Sequence, residues 1–177
     1  MFLTRLIDYT KLKAQLANGI TLMNLSCGIL SILLIMRGYP HWSAIFILLA
    51  AVFDGFDGKV ARKFSSETGF GKELDSLCDL VSFGVAPGML LYQTVLYTMP
   101  STGITLTTLF IICGAVRLAR YNIKEFDGAF YGVPITAAGF ILALSFFLVP
   151  YMPVLFFVLL EGVFTILMVS NIRIAKL

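Results

Sequence analysis

Four aspartates at fixed spacings are the residues of this sequence best suited to chemistry. Asp54 and Asp57 stand three residues apart in the segment AAVFDGFDGKVAR, and Asp75 and Asp79 stand four apart in GKELDSLCDLVSFG. Residues three or four apart share one face of an α-helix, so each pair presents two carboxylates to the same side. Only the short connection KFSSETGF separates the two segments, which favours antiparallel neighbouring helices. The sequence therefore predicts that four carboxylates converge between two helices.

Such a cluster predicts a binding site for divalent cations. Four like charges repel strongly where the dielectric constant is low, so either several are protonated or cations hold them together. All four side chains offer oxygen, which favours Mg²⁺ or Mn²⁺. The single histidine, His41, falls at the other end of the predicted helices, which argues against zinc. The alternative is a set of solvated charges paired with neighbouring lysines and arginines, but the flanking glycine and alanine residues leave room for a ligand.

The composition indicates which elements must position these carboxylates. Of the 177 residues, 59% are apolar and 13% are charged, and the mean hydropathy is +0.93. Soluble domains have about 45–50% apolar and about 25% charged residues. We therefore expect an all-α integral membrane protein that forms a single domain over residues 1–177. We expect no nucleic-acid partner and no removable signal peptide, because no short apolar run with a cleavage site begins the chain.

Six apolar stretches predict six transmembrane helices. Each is near 20 residues, the length that crosses about 30 Å of hydrocarbon, and backbone amides in lipid must be paired within the segment. All but one of the 13 basic residues, Arg37 being the exception, fall on the side that holds both termini. This bias predicts a multi-pass protein of the cell (inner) membrane with both termini and the aspartates on the cytoplasmic side. The predicted spans cover residues 17–36, 41–61, 73–97, 102–120, 131–149 and 153–171.

The segment before the first span mixes apolar and basic residues. Phe2, Leu3, Leu6 and Ile7 alternate with Arg5 and are followed by two lysines. A short amphipathic helix on the membrane surface is the predicted structure, and an unanchored tail is the alternative.

The aspartates belong to a longer pattern that resembles the signature of the CDP-alcohol phosphotransferases, without a gap or a substitution. The resemblance implies a six-helix membrane fold over essentially the whole chain. It also implies transfer of a phosphatidyl or similar group from a CDP-linked lipid to an alcohol, with release of CMP. The matching pattern is Asp54-x2-Asp57-Gly58-x2-Ala61-Arg62-x8-Gly71-x3-Asp75-x3-Asp79.

The same resemblance implies roles for individual residues. The four aspartates would bind two divalent cations, and Asp79 would also be the general base for the acceptor hydroxyl. Gly58 would let the nucleotide approach the helix, and Arg62 would contact the donor. The segment Asn18-Gly-Ile-Thr21-x2-Asn24 is similar to the one that lines the cytidine pocket, although Asn18 as a helix N-cap is an alternative. The residues implied for binding CDP-diacylglycerol are Asn18, Thr21, Gly58, Ala61, Arg62, Thr68 and Gly71.

Downstream segments are similar to the branch of the family that uses serine in bacteria and archaea. They are SFGVAP after Asp79, RLARYN at the end of the fourth helix, and FYGVP after it. This implies CDP-diacylglycerol and L-serine as substrates, with Arg117, Arg120 and Asn122 at the serine. Paired arginines suit a carboxylate or a phosphate. Three alternatives therefore remain. The acceptor could be glycerol 3-phosphate or inositol phosphate, the donor could be an ether-linked archaeal lipid, and the arginines could simply follow the positive-inside rule.

Two further expectations concern assembly and the class of protein. Members of the family commonly form homodimers, which we expect here as well. A cation transporter is the alternative from another class, because carboxylates on spanning helices often mark ion paths. A non-catalytic membrane scaffold is a further alternative to the enzyme. The clustering of the aspartates at one membrane boundary, rather than at mid-bilayer, favours the enzyme.

Overall fold

Helices make up nearly all of the described structure. The computed structural model describes residues 9–64, 69–123, 130–170 and 173–174. Two-residue strands β1 (Phe130–Tyr131) and β2 (Arg173–Ile174) pair antiparallel. The helices are α1 (Tyr9–Met36), α2 (Pro40–Phe64), α3 (Gly69–Asp79), a π-helical turn (Leu80–Val85), α4 (Ala86–Thr94), α5 (Pro100–Ile123), α6 (Ile135–Ser145) and α7 (Val154–Val169), with short 3₁₀ turns at Leu96–Thr98 and Phe146–Leu148.

Among the described residues, three helical segments are long and apolar enough to cross a membrane. They are Asn18–Met36, Gly69–Thr94 and Pro100–Ile123. Shorter apolar helices cover Pro40–Phe56, Ile135–Leu148 and Val154–Val169. The prediction of an all-α protein with membrane-type helices is confirmed. Each of the six predicted spans coincides with one of these segments, and the number that cross the bilayer stays a prediction.

Helices α1 and α2 form a hairpin. Gly38 turns the chain with φ +79°, a left-handed conformation that glycine adopts without a steric penalty. Inside the hairpin, the hydroxyls of Ser31 and Ser43 share a buried hydrogen bond of 2.8 Å. Helix α1 begins at Tyr9, so Asn18 lies in the helix interior, and the alternative that it caps the helix is wrong. The predicted amphipathic segment lies mostly in residues 1–8, outside the described residues.

The segment that carries Asp75 and Asp79 lies at the centre of the bundle. More than half of the most apolar part of this segment is buried, a larger share than in Asn18–Met36 or Pro100–Ile123. Pro87 predicts a distortion in this segment, and the distortion is the π-helical turn, in which the Ala86 N–H donates to the Val81 carbonyl five residues back. Pro87 has no N–H for the Phe83 carbonyl four residues before it. A wider turn thus starts directly after Asp79.

Candidate metal centre

Three aspartate side chains meet between α2 and α3. One carboxylate oxygen from each of Asp54, Asp75 and Asp79 lies within 4.8 Å of the other two. Asp79 is buried at 8% exposure, whereas Asp54 and Asp75 are half-buried. Helical spacing brings Asp75 and Asp79 onto one face of α3, and the fold brings Asp54 of α2 to them. Asp57 lies on α2, and its side chain is outside the described part of the structure.

The donor set of this cluster fits a divalent cation. It consists of carboxylate oxygens, the ligands that Mg²⁺ and Mn²⁺ prefer. Three carboxylates this close together are either partly protonated or held by positive charge, because their mutual repulsion is strong in a partly buried site.

Helix α1 contributes an uncharged side chain to the cluster. The Nδ2 of Asn24 donates a hydrogen bond of 3.3 Å to the Oδ1 of Asp79. Asn24 is 1% exposed, and its Oδ1 has no hydrogen-bond partner among the described residues. Asn18 and Thr21 are the residues predicted from this segment to bind the donor, and the contact of Asn24 with Asp79 was not predicted. The spacing of Asn24 could have indicated that it belongs to the site, since it lies three residues after Thr21 on the same helix face.

Helix α5 contributes positive charge beside the cluster. Arg117 is half-buried and close enough to Asp79 for an electrostatic interaction. Its Nε is buried and makes no hydrogen bond within the described ranges. An unsatisfied donor on Arg117 and an unsatisfied acceptor on Asn24 therefore lie near the same carboxylate. Such groups suit a ligand that brings both an anionic group and a hydroxyl.

The other two residues predicted to bind serine contact neighbouring helices. Arg120 donates from Nη1 to the Val169 carbonyl at 3.3 Å, at the C-terminal end of α7. The Asn122 amide donates from Nδ2 to the Ser76 hydroxyl at 3.0 Å. Lys72 donates to the Asn122 carbonyl at 3.2 Å. Ser76 follows Asp75 directly, so these bonds join the aspartate helix to the end of α5, a connection that the sequence analysis missed.

The residues predicted to bind the donor come from three helices. Thr21 is buried and Asn18 is half-buried on α1, and Gly71 is half-buried near the start of α3. Thr68 lies outside the described residues, and Gly58, Ala61 and Arg62 lie on α2 where only the backbone is described. Thr21 and Asn18 precede Asn24 by three and six residues, which is about 0.8 and about 1.7 helical turns, so they lie progressively farther along α1 from the carboxylates.

Comparison with known proteins identifies the family. Residues 14–172 match the family model described as CDP-alcohol phosphatidyltransferase. The match covers most of the chain, and the chain belongs to this family. The resemblance that the aspartate pattern indicated is confirmed.

Several curated proteins are similar to this chain over most of its length. A protein of Bacillus subtilis (strain 168) named CDP-diacylglycerol--serine O-phosphatidyltransferase is 41% identical over 155 residues, which cover 87% of this chain and 86% of that protein. A Helicobacter pylori (strain J99) protein of the same name is 38% identical, covering 88% of this chain and 70% of its own length. The archaetidylserine synthase of Methanothermobacter thermautotrophicus is 38% identical, covering 87% and 66%.

Proposed function

We propose that this protein transfers the phosphatidyl group of CDP-diacylglycerol to the hydroxyl of L-serine, forming phosphatidylserine and releasing CMP. The observation that carries the proposal is the meeting of Asp54, Asp75 and Asp79 within 4.8 Å beside Arg117, whose Nε is buried. The names of the Bacillus and Helicobacter relatives support serine as the acceptor.

Two divalent cations, Mg²⁺ or Mn²⁺, would be held by Asp54, Asp57, Asp75 and Asp79. When bound, such ions offset the charge of a pyrophosphate and of the CMP that leaves it. The protein contributes carboxylates from α2 and α3 that the fold already gathers within 4.8 Å of one another. It also contributes Asn24, which restrains one oxygen of Asp79.

Asp79 is the proposed general base. It is the most buried of the three described aspartates. The serine hydroxyl would give its proton to an Asp79 oxygen as the hydroxyl oxygen attacks the phosphorus that carries diacylglycerol. One P–O bond then forms, the P–O bond to CMP breaks, and the leaving phosphate takes the electron pair. Because serine has a neutral, weakly nucleophilic hydroxyl, a base within hydrogen-bond reach is needed for this step.

Arg117 is the proposed contact for the serine carboxylate. Its Nε makes no hydrogen bond to a described residue, and its side chain interacts electrostatically with Asp79. A guanidinium can bind a carboxylate through two parallel hydrogen bonds. Arg120 and Asn122 are proposed to complete the serine site from the same helix. The donor is proposed to bind along Asn18, Thr21, Gly58, Ala61, Arg62, Thr68 and Gly71.

The proposed setting is the cell (inner) membrane, with six spans in one domain over residues 1–177, and with both termini and the site on the cytoplasmic side. Apolar side chains on the outside of the bundle support contact with lipid, among them Leu155 and Ile166 of α7, which are 63% and 72% exposed. A location at the membrane boundary would let the lipid chains of the donor stay in the bilayer while serine arrives from water. We propose a homodimer as the assembly.

The decisive experiment measures CMP release by the purified protein in lipid nanodiscs. CDP-diacylglycerol and Mn²⁺ or Mg²⁺ are supplied with serine, glycerol 3-phosphate or inositol phosphate in separate reactions. We expect CMP release with serine, and none when the cation is removed by a chelator. Release with glycerol 3-phosphate alone would exclude serine as the acceptor, and no release with any alcohol would exclude the enzyme.

A second candidate function uses an ether-linked donor with the same acceptor. The similarity to an archaetidylserine synthase favours it. The same assay with CDP-archaeol in place of CDP-diacylglycerol distinguishes the two, since the preferred donor gives the higher kcat/KM.

A further inference from the structure

Asn24 contacts the carboxylate cluster from a helix that carries none of the aspartates. We propose that Asn24 is a positioning residue for Asp79, and that its amide oxygen receives a hydrogen bond from a hydroxyl or water that enters the site. The proposal rests on the proposed function and adds a residue to its machinery.

The contact with Asp79 restrains the carboxylate that the proposed reaction uses. The amide Nδ2 holds Asp79 Oδ1 at 3.3 Å, which fixes the side-chain torsion and leaves Oδ2 to other partners. An amide is suited to this task because it donates a hydrogen bond without bringing a charge that would compete with a bound cation. Groups that hydrogen-bond to a carboxylate ligand in this way orient the ligand and thereby change the affinity of the site for the metal.

The other end of the Asn24 side chain has an unused acceptor. Its Oδ1 is buried and has no donor among the described residues. A buried carbonyl without a partner is unfavourable, so its presence points to a donor that the site acquires. Two sources share this chemistry: a water bound to a cation, and the hydroxyl of the acceptor alcohol.

The backbone around Asn24 is held by a second contact. The Ser82 hydroxyl donates to the Asn24 carbonyl at 3.1 Å, and Ser82 lies on the π-helical turn three residues after Asp79. A Cβ at Gly28 would clash with the Ser82 side chain, so glycine there allows α1 to approach this turn closely. The side-chain bond to Asp79 and the backbone bond from Ser82 together hold Asn24 in place relative to Asp79.

The test uses Asn24→Ala and Asn24→Asp in nanodiscs, with Ser31→Ala as the matched control. Ser31 lies on the same helix and makes a buried hydrogen bond to Ser43 remote from the aspartates. Mn²⁺ affinity is measured by calorimetry without substrates, and kcat and the serine KM are measured by CMP release at saturating Mn²⁺. Thermal unfolding shows that each variant is folded.

We expect Asn24→Ala to lower Mn²⁺ affinity or raise the serine KM by about 10–100-fold, with Ser31→Ala unchanged. A rise in the serine KM alone identifies the donor as the alcohol. A loss of Mn²⁺ affinity alone places the contribution of Asn24 at the cation, through Asp79 or through a cation-bound water. Asn24→Asp keeps an oxygen but loses the donor to Asp79, so kcat should fall even at saturating Mn²⁺.

Wild-type Mn²⁺ affinity, KM and kcat in Asn24→Asp and in any folded Asn24→Ala would overturn the proposal. The Mn²⁺ titration needs no acceptor, so this outcome is distinguishable from failure of the proposed function, which would be absence of CMP release by the wild type with serine.

Discussion

Replacing Gly139 with alanine is a sharp test of how the bundle supports Asp79. Gly139 lies on α6 and packs against the backbone of Phe83 in the π-helical turn, one turn after Asp79. A Cβ at Gly139 would lie 2.7 Å from the Cα and Cβ of Phe83 and closer still to its carbonyl oxygen. The contacting atoms are backbone and Cβ, so no flexible side chain can move aside.

The expected magnitude follows from this geometry. An ordinary contact begins at 3.4 Å, so relief of the 2.7 Å contacts alone requires α6 and the turn to separate by 0.7 Å (3.4 − 2.7), and the carbonyl oxygen requires more. Overpacking of this kind costs about 1–3 kcal/mol of stability. A displacement approaching 1 Å at a reacting group can lower the rate about 10²-fold. We therefore expect Gly139→Ala to lower both the thermal stability and kcat/KM for CMP release, the latter by about 10-fold to 100-fold.

The matched control is Gly162→Ala on α7. A Cβ there meets only the Leu106 side chain at 3.9 Å, an ordinary contact distance. Thermal unfolding and CMP release are measured for both variants in the same nanodiscs. If Gly139→Ala matches Gly162→Ala in stability and in kcat/KM, the π-helical turn does not transmit packing to the site and the reasoning is wrong.

Three further variants test individual groups. Asp79→Asn should reduce kcat by at least about 10²-fold, since general-base catalysis typically contributes about 10²–10⁴-fold. Equilibrium binding of CDP-diacylglycerol should survive. Normal turnover in this variant would refute the role of Asp79 as the base. Arg117→Ala should raise the serine KM by about 10-fold to 100-fold, because the variant loses charged hydrogen bonds worth about 1.5–3 kcal/mol. Arg37→Ala is the control and should leave the serine KM unchanged. Glu161→Gln should keep or raise the melting temperature, because Glu161 is fully buried beside the Thr107 hydroxyl and a neutral amide is less costly to bury there than a carboxyl group that can ionise. A marked loss of stability would contradict this.

Local spacing made part of the site predictable. The i,i+4 relation of Asp75 and Asp79 fixes them on one face of any helix, and the short connection to α2 makes Asp54 a neighbour. The structure brings these three together. Arg117 was also predicted from the sequence, and it lies beside Asp79.

Other contacts depend on how distant helices pack. Asn24 and Asp79 are separated by 55 residues, and Ser76 and Asn122 by 46. The periodicity of one helix does not predict which turn of a neighbouring helix will pack against it. That register depends on side-chain packing, as at Gly28 against Ser82. The roles of Asn24 and Ser76 were therefore missed, and Asn122 was assigned to serine without its contact to Ser76.

The amino-acid sequence by itself determined the helical class of this protein, its apolar character and the spacing of its carboxylates, because these follow from composition and from the geometry of a single helix. Only the tertiary structure decided that a π-helical turn follows Asp79, that Asn24 reaches its carboxylate, and that Asn122 contacts the aspartate helix. The physical reason is that close packing between helices selects one relative register, and that register brings residues far apart in sequence within hydrogen-bond distance.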